Sequence, residues 1–365
     1  MSRERVLILY GGRSGEHEVS LKSGASVFRN LDRERYEPIL VGIAKDGRWY
    51  LQPEEVADRA TTAGTALEIF CDERMTVSVS PGGGLRAADG ALEADVVFPV
   101  LHGSFGEDGT VQGLLEVAGL PYVGAGVLGS SLGMDKQRVK EVWQQQGLPV
   151  LPFSGFSRRE LEKKSATDLL APLLRDHGYP LFVKPARAGS SVGITKVKTA
   201  SGLEAAVQEA MLWDTRVIVE PGVDAREIET AVLGDEEPLV FEPGEVIVRS
   251  EFYSYEAKYL DPAGAELAIP AEIDESLRNR IKEVARDAFL SSDCHGLARI
   301  DVFLERGTGA IYLNEINTIP GFTQISMYPK MVEAGGIPYA ELLSRLIQLA
   351  KDRKGERDAL RYEFR

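Results

Sequence analysis

Short apolar runs separated by amphipathic stretches constrain this chain more than any other feature. Val6–Tyr10 is a run of five, followed by a glycine-rich turn at Gly11–Gly15 and a helical pattern to about Leu31. Ile39–Ile43 and Val96–Val100 repeat the motif. Runs this short and this uniformly apolar read as strands buried on both faces, with helices covering them, which is an α/β architecture with a parallel sheet. The segment between the second and third runs carries Pro81-Gly82-Gly83-Gly84 and reads as an irregular insertion or flap. The first domain is expected to end within the glycine-rich stretch Gly119–Gly133.

A helix from about Asp135 to Gln146 opens a second region, with strands expected at Leu181–Lys184, Ile194–Val197 and Val217–Glu220 and a helix near Leu203–Met211. A third region starts near Ala225. Its strands are Glu227–Leu233, Leu297–Leu304 and Ala310–Asn314, its helices lie near Ile273–Leu290 and Tyr339–Lys351, and the charged tail beyond is expected to fray. A length of 365 residues accommodates two or three such units. With 56 acidic against 42 basic residues the net charge is −14, which argues against a nucleic-acid partner bound through phosphate neutralisation. Two cysteines, Cys71 and Cys294, make no disulfide framework and point to a reducing, cytoplasmic setting. The first apolar run is too short for a signal peptide or a membrane span.

Five segments carry chemistry. In LARIDVFL, strand alternation puts Ala298, Ile300, Val302 and Leu304 on one face and Arg299 with Asp301 on the other. Glu315 and Asn317 are likewise two apart at the exit of the next strand, and ERGTG between the two strands is a good hairpin turn. Asp301, Glu315 and Asn317 side by side are hard oxygen donors suited to Mg²⁺ and substrate phosphates, with Arg299 near enough to stabilise developing negative charge. A surface ladder of salt bridges is the plain alternative. In VKPARAGSSVG, a strand delivers Lys184 to a loop rich in glycine and serine that can wrap phosphate oxygens. It is not a Walker loop, and an ordinary hairpin has the same appearance.

In GGRSGEHEVS, Glu16, His17 and Glu18 crowd the first strand-to-helix turn. They either complement the helix dipole or hold an ammonium group. In HGSFGEDG, His102 follows a strand at its carboxyl end, where open α/β sheets bind ligands. Glu107 and Asp108 read as cap and first-turn acids of the next helix. EFYSYEAKY is either a core strand or a lid that excludes water.

Together and in this order the five segments resemble the D-alanine–D-alanine ligases of the ATP-grasp superfamily, from VLILYGGRSGEHEVSL to NEINTIPGFTQISMYPK. The resemblance implies three α/β domains, at about 1–125, 126–220 and 221–365, with ATP between the central and C-terminal ones and a lid near 249–262. It implies ligation of two D-alanine molecules through a D-alanyl phosphate, feeding peptidoglycan synthesis, in a cytoplasmic homodimer with no nucleic-acid or membrane partner. Lys136, Lys184 and Lys258 would contact the ATP phosphates, Glu220 would lie near the adenine and Glu227 near the ribose. Asp301, Glu315 and Asn317 would hold two Mg²⁺ or Mn²⁺ ions. Arg299 and the Gly321 N–H would hold the oxyanion. Glu16 would take the first ammonium and His102 would lie near that substrate's carboxylate. Ser190 and Tyr259 would latch onto Glu16, and Ser326 and Met327 would receive the second carboxylate. By the same resemblance, Tyr259 would favour an amine acceptor over D-lactate. The alternatives are a D-alanyl-D-serine or D-alanyl-D-lactate ligase, and a non-catalytic ATP-binding regulator.

Overall fold

The structure is a computed structural model that describes residues 3–62, 65–248 and 265–361. Three sheets organise it. In the first, Glu4–Gly11 pairs in parallel with Tyr36–Ile43 on one side and Val96–Val100 on the other. These are the three apolar runs, and Val6, Leu7, Ile8 and Leu9 are fully buried. The segment expected to be an irregular flap instead extends the sheet through four short antiparallel strands, Trp49–Leu51, Thr76–Val79, Leu85–Ala87 and Gly90–Leu92. Each has three or four residues, too few to show a period of two, yet Tyr50, Val77 and Leu85 are buried by it.

The second sheet is antiparallel, in the order Thr195–Val197, Leu181–Pro185, Arg216–Pro221 and Ser154–Ser157. The helix Leu203–Trp213 covers one face, packing Val207 and Ala210 against Leu181, Val183, Val217 and Val219. The third sheet centres on Ala225–Gly234, Gly296–Glu305 and Ile311–Asn317. The alternation read in LARIDVFL is realised there. Ala298, Ile300, Val302 and Leu304 pack with Ile281, Ala285 and Phe289 of the helix Glu275–Ser291, leaving Arg299 and Asp301 on the opposite face.

The first and third sheets are joined by one continuous apolar core. Ile8, Tyr10 and Phe98 share a cluster with Phe322, Tyr328, Leu342 and Leu346. The Phe322 ring lies 5.9 Å from Phe98 and 5.8 Å from both Tyr328 and Tyr339. The last helix runs Tyr339–Asp358, past the expected fraying point. Arg353 holds it by donating to the carbonyls of Tyr122 at 3.1 Å and Gly124 at 2.5 Å, with its guanidinium 4.3 Å from the centre of the Tyr122 ring.

His295 lies beside this seam. Burial first, and Arg353 second, hold its imidazole down to about 4, below the value of an unfolded histidine. A depressed histidine contributes stability that is fully present above the unfolded value and is lost as pH falls through the folded one. The midpoint of urea denaturation should therefore drop between about pH 6.5 and 4. His295→Gln, neutral throughout, should lose less over that window; equal losses in the two proteins would exclude His295 as the source.

Candidate active site

The second and third sheets face each other across a cavity of about 620 Å³. From the second sheet come Lys184 and Glu220, on neighbouring strands. Glu220 is 1% exposed, and its carboxylate is gripped at both oxygens: Lys184 Nζ is 2.6 Å from Oε2 and Lys140 Nζ is 2.8 Å from Oε1. Burial opposes the Glu220 charge, but the two ammonium groups outweigh it and pull the carboxyl down to about 2. Burial pushes the Lys140 ammonium below the usual lysine range. The Glu220 carboxylate pulls the other way, and the Lys140 Nζ also donates to the Leu313 carbonyl at 2.9 Å. Lys184 also reaches Asn314 Oδ1 at 3.5 Å.

From the third sheet, strand register sets Arg299 opposite Asn317 and Asp301 opposite both Glu315 and Glu229. A bulge follows Asp301, so Val302 pairs with Leu313, and both Asn314 and Glu315 line the cavity. Arg299 donates to both Asp301 oxygens, at 2.7 and 2.6 Å, and its Nε lies 3.0 Å from Glu229. Burial disfavours its charge, yet Asp301 and Glu229 raise its pKa well above the ordinary value. Asn317 Nδ2 donates to Asp301 at 3.0 Å. Lys136 Nζ lies 3.2 Å from Glu315 and donates to Ala188 O at 2.8 Å, linking the helix Lys136–Gln145 to the glycine–serine loop. Among the described residues no three His, Cys, Asp or Glu side chains form a metal cluster. The set here is two carboxylates and an amide, whose hard oxygens suit Mg²⁺ or Mn²⁺, and Arg299 and Lys136 occupy part of their acceptor capacity.

The loops of the first sheet close one end. Ser190 Oγ donates to Glu16 Oε1. The Glu16 carboxylate fits between two glycines: a Cβ on Gly103 would lie 2.5 Å from Oε2, and one on Gly189 2.8 Å from it. His102 is buried, which lowers its pKa and leaves it neutral. Ile319 O can only accept, so Nδ1 at 2.9 Å carries the proton, and Nε2 accepts from Ser23 Oγ at 3.0 Å. Glu107 is no simple helix cap. Its carboxylate accepts from Gly103 N at 2.7 Å and Ile319 N at 3.1 Å, and burial with the nearby Glu16 pushes its pKa up to about 8.

Two family models cover this chain, the D-ala D-ala ligase N-terminus over residues 5–125 and the D-ala D-ala ligase C-terminus over residues 142–348. The chain belongs to the D-alanine–D-alanine ligase family. A D-alanine–D-alanine ligase from Treponema denticola is 49% identical over 95% of this chain and 96% of its own length. A D-alanine–D-alanine ligase A from Bradyrhizobium diazoefficiens is 50% identical over 98% and 97%. Among solved structures, the D-alanine-D-alanine ligase from Coxiella burnetii superposes with a TM-score of 0.82 at 38% identity, covering 98% of this chain and 97% of that one. The VanG D-Ala:D-Ser ligase from Enterococcus faecalis gives 0.82 at 37% identity, covering 96% and 100%.

In this ligase-family chain, Lys136, Lys184, Glu220, Glu227, Arg299, Asp301 and Glu315 all line the one cavity, while Asn317 touches it through Asp301. Glu16 and Ser190 meet at its end. Gly321 abuts Ser326, which occupies the N-cap position of the helix Met327–Ala334 without a capping side-chain hydrogen bond, its hydroxyl instead lying 2.7 Å from Thr323 Oγ1. The Met327 side chain is buried against Gly244. Both His102 ring nitrogens are engaged within the protein. Lys258, Tyr259 and the segment EFYSYEAKY lie outside the described residues. Sequence reasoning missed Lys140, Glu229, Asn314 and the bridging role of Glu107. Only Glu229 carried a signal: it follows Glu227 by two and so shares its face.

Glu107→Ala should lower the unfolding free energy by about 2–4 kcal/mol, because two enclosed N–H donors lose their acceptor. Glu107→Gln, with one acceptor oxygen left, should lose less. Urea denaturation measures both, and an unchanged midpoint in the alanine variant would remove the bridge as a stabilising contact.

Proposed function

We propose that this protein joins two D-alanine molecules to D-alanyl-D-alanine at the expense of ATP, through a D-alanyl phosphate, for peptidoglycan precursor synthesis. The observation that carries the reading is the composition of the cavity, where Lys136, Lys184 and Arg299 share a space with Asp301 and Glu315. Such a set neutralises a polyphosphate and the charge that forms on a transferring phosphoryl group. The nucleotide lies between the second and third sheets, with Lys136, Lys184 and Lys258 at its phosphates and Glu220 and Glu227 toward its base and ribose.

Two Mg²⁺ or Mn²⁺ ions, when bound by Asp301, Glu315 and Asn317, supply charge neutralisation to the phosphates. Arg299 then turns from its carboxylate partners toward the substrate, and with the Gly321 N–H it holds the oxyanion formed when the second amine attacks the acyl phosphate. Phosphate leaves from that carbon and the amine loses its proton. Glu16 binds the first ammonium, steadied by Ser190 and Tyr259. His102 acts by keeping the Ile319 peptide in place. Ser326 and the Met327 N–H, at a helix N-terminus, take the second carboxylate. The chain divides near residues 125 and 220, with a lid near 249–262, and works as a cytoplasmic homodimer.

The similarity to a D-Ala:D-Ser ligase gives the second reading specific weight. Incubation with ATP, Mg²⁺ and D-alanine should yield a dipeptide of D-alanyl-D-alanine mass; phosphate release with D-serine or D-lactate but not with D-alanine alone would overturn the acceptor assignment. ATP binding without any product would leave a non-catalytic regulator.

Arg299→Ala should reduce kcat by roughly 100-fold or more with ATP affinity little changed, the signature of a group acting in the transition state. A large loss of ATP binding with normal turnover at saturation would contradict its role. Tyr259→Phe should admit D-lactate as acceptor. Unchanged selectivity would exclude Tyr259 as the determinant.

A further inference from the structure

Lys140 is buried to the same degree as Glu220 and does not line the cavity, and nothing in the proposed chemistry uses it. Its position on the helix Lys136–Gln145 nonetheless brings its ammonium onto one oxygen of a carboxylate whose other oxygen holds Lys184. Two ammonium groups share one carboxylate, so the trio carries a net charge of plus one. Remove Lys140 and the remaining Lys184–Glu220 pair is neutral. Lys184 would be fully matched by a carboxylate 2.6 Å away and would have little field left for an anion.

We infer that Lys140 is a positioning residue for nucleotide binding: by neutralising Glu220 from behind the cavity, it leaves the Lys184 charge available to a polyphosphate it never touches. The inference rests on the reading of this cavity as the nucleotide site. A buried carboxylate with a single ammonium partner would hold that partner as an ion pair, whereas one with two leaves a surplus of positive charge directed at the open side. Lys184 is on the open side and Lys140 is not. The Leu313 carbonyl, 2.9 Å from Lys140 Nζ, aims the ammonium and also ties this helix to the strand Ile311–Asn317. A purely structural role for Lys140 is thus the competing account, and the two differ in what they predict for charge.

Calorimetric titration with ADP, and with adenosine as a competitor of ADP, separates them. Lys140→Met should weaken ADP about tenfold or more while adenosine changes by no more than about threefold, since only ADP carries phosphate. Lys140→Arg, which keeps the charge, should bind ADP within about threefold of the parent. The double variant Lys140→Met/Glu220→Gln removes one charge of each sign and leaves Lys184 cationic, so it should recover ADP affinity relative to adenosine, which carries any change that Glu220 makes at the base.

Equal weakening of ADP and adenosine in Lys140→Met, or a double variant whose ratio of ADP to adenosine affinity is no better than that of Lys140→Met, would overturn the inference. If Lys140→Met does not fold, Lys140→Gln decides in its place: a loss of ADP affinity of about tenfold or more with adenosine within about threefold supports the charge account, and weakening of both alike, or of neither, defeats it. Failure of the parent protein to bind ADP would instead defeat the nucleotide reading itself.

Discussion

The peptide of Ile319 is the point on which the rest of the structure turns. Its N–H is accepted by Glu107 and its C=O accepts from His102, so one loop of the first sheet grips both backbone polar groups of a single residue just after the strand Ile311–Asn317 of the third. The bonds are enclosed, where an unpaired partner costs more than the bond itself contributes. Two residues before it comes Asn317, two after it Gly321, and beyond these Ser326 and the helix Met327–Ala334. The Phe322 ring continues the attachment in apolar form, seated among Phe98, Tyr328 and Tyr339, with the Tyr339 hydroxyl donating to the Phe322 carbonyl. Polar grip and aromatic seat together fix where one end of the cavity lies relative to Glu16.

Electrostatics organises the cavity in a comparable way. Three of the cations facing it have carboxylate partners: Lys136 has Glu315, Lys184 has Glu220, and Arg299 has Asp301 and Glu229, while Lys196 lies 5.9 Å from the centre of the Phe182 ring. These pairs hold the side chains in the space where, on the proposed reading, a ligand and metal ions would compete for them. Exchange of partners rather than creation of new charge is the economy of such a site, because a lone buried ion of either sign is expensive. Lys140 fits the same logic from behind the cavity wall.

Much of this is legible in the amino-acid sequence. The three parallel strands of the first sheet, the strand–loop–strand around Lys184 and the hairpin carrying Arg299, Asp301, Glu315 and Asn317 all announce themselves through apolar runs and alternation. The four short strands between Trp49 and Leu92 do not, because a strand of three residues has no period to read. The final helix outlasts its apolar pattern because Arg353 finds backbone carbonyls on a segment some 230 residues earlier in the chain, a partner no local window contains. The bulge after Asp301, which brings Asn314 beside Glu315, leaves no mark on an alternating pattern except to break it.

The sequence by itself determined the fold class, the family and the faces of the strands, because each depends on spacing along the chain: alternation, turn residues and motifs in a fixed order. Tertiary structure alone decided which charges meet. Lys140 and Glu220 are far apart in sequence and lie in an unremarkable helix and an apolar strand, yet folding sets them 2.8 Å apart. Glu107, which local pattern assigns to a helix start, becomes a tie across two sheets. Burial and through-space pairing govern those outcomes, and neither is a property of any stretch of sequence read in isolation.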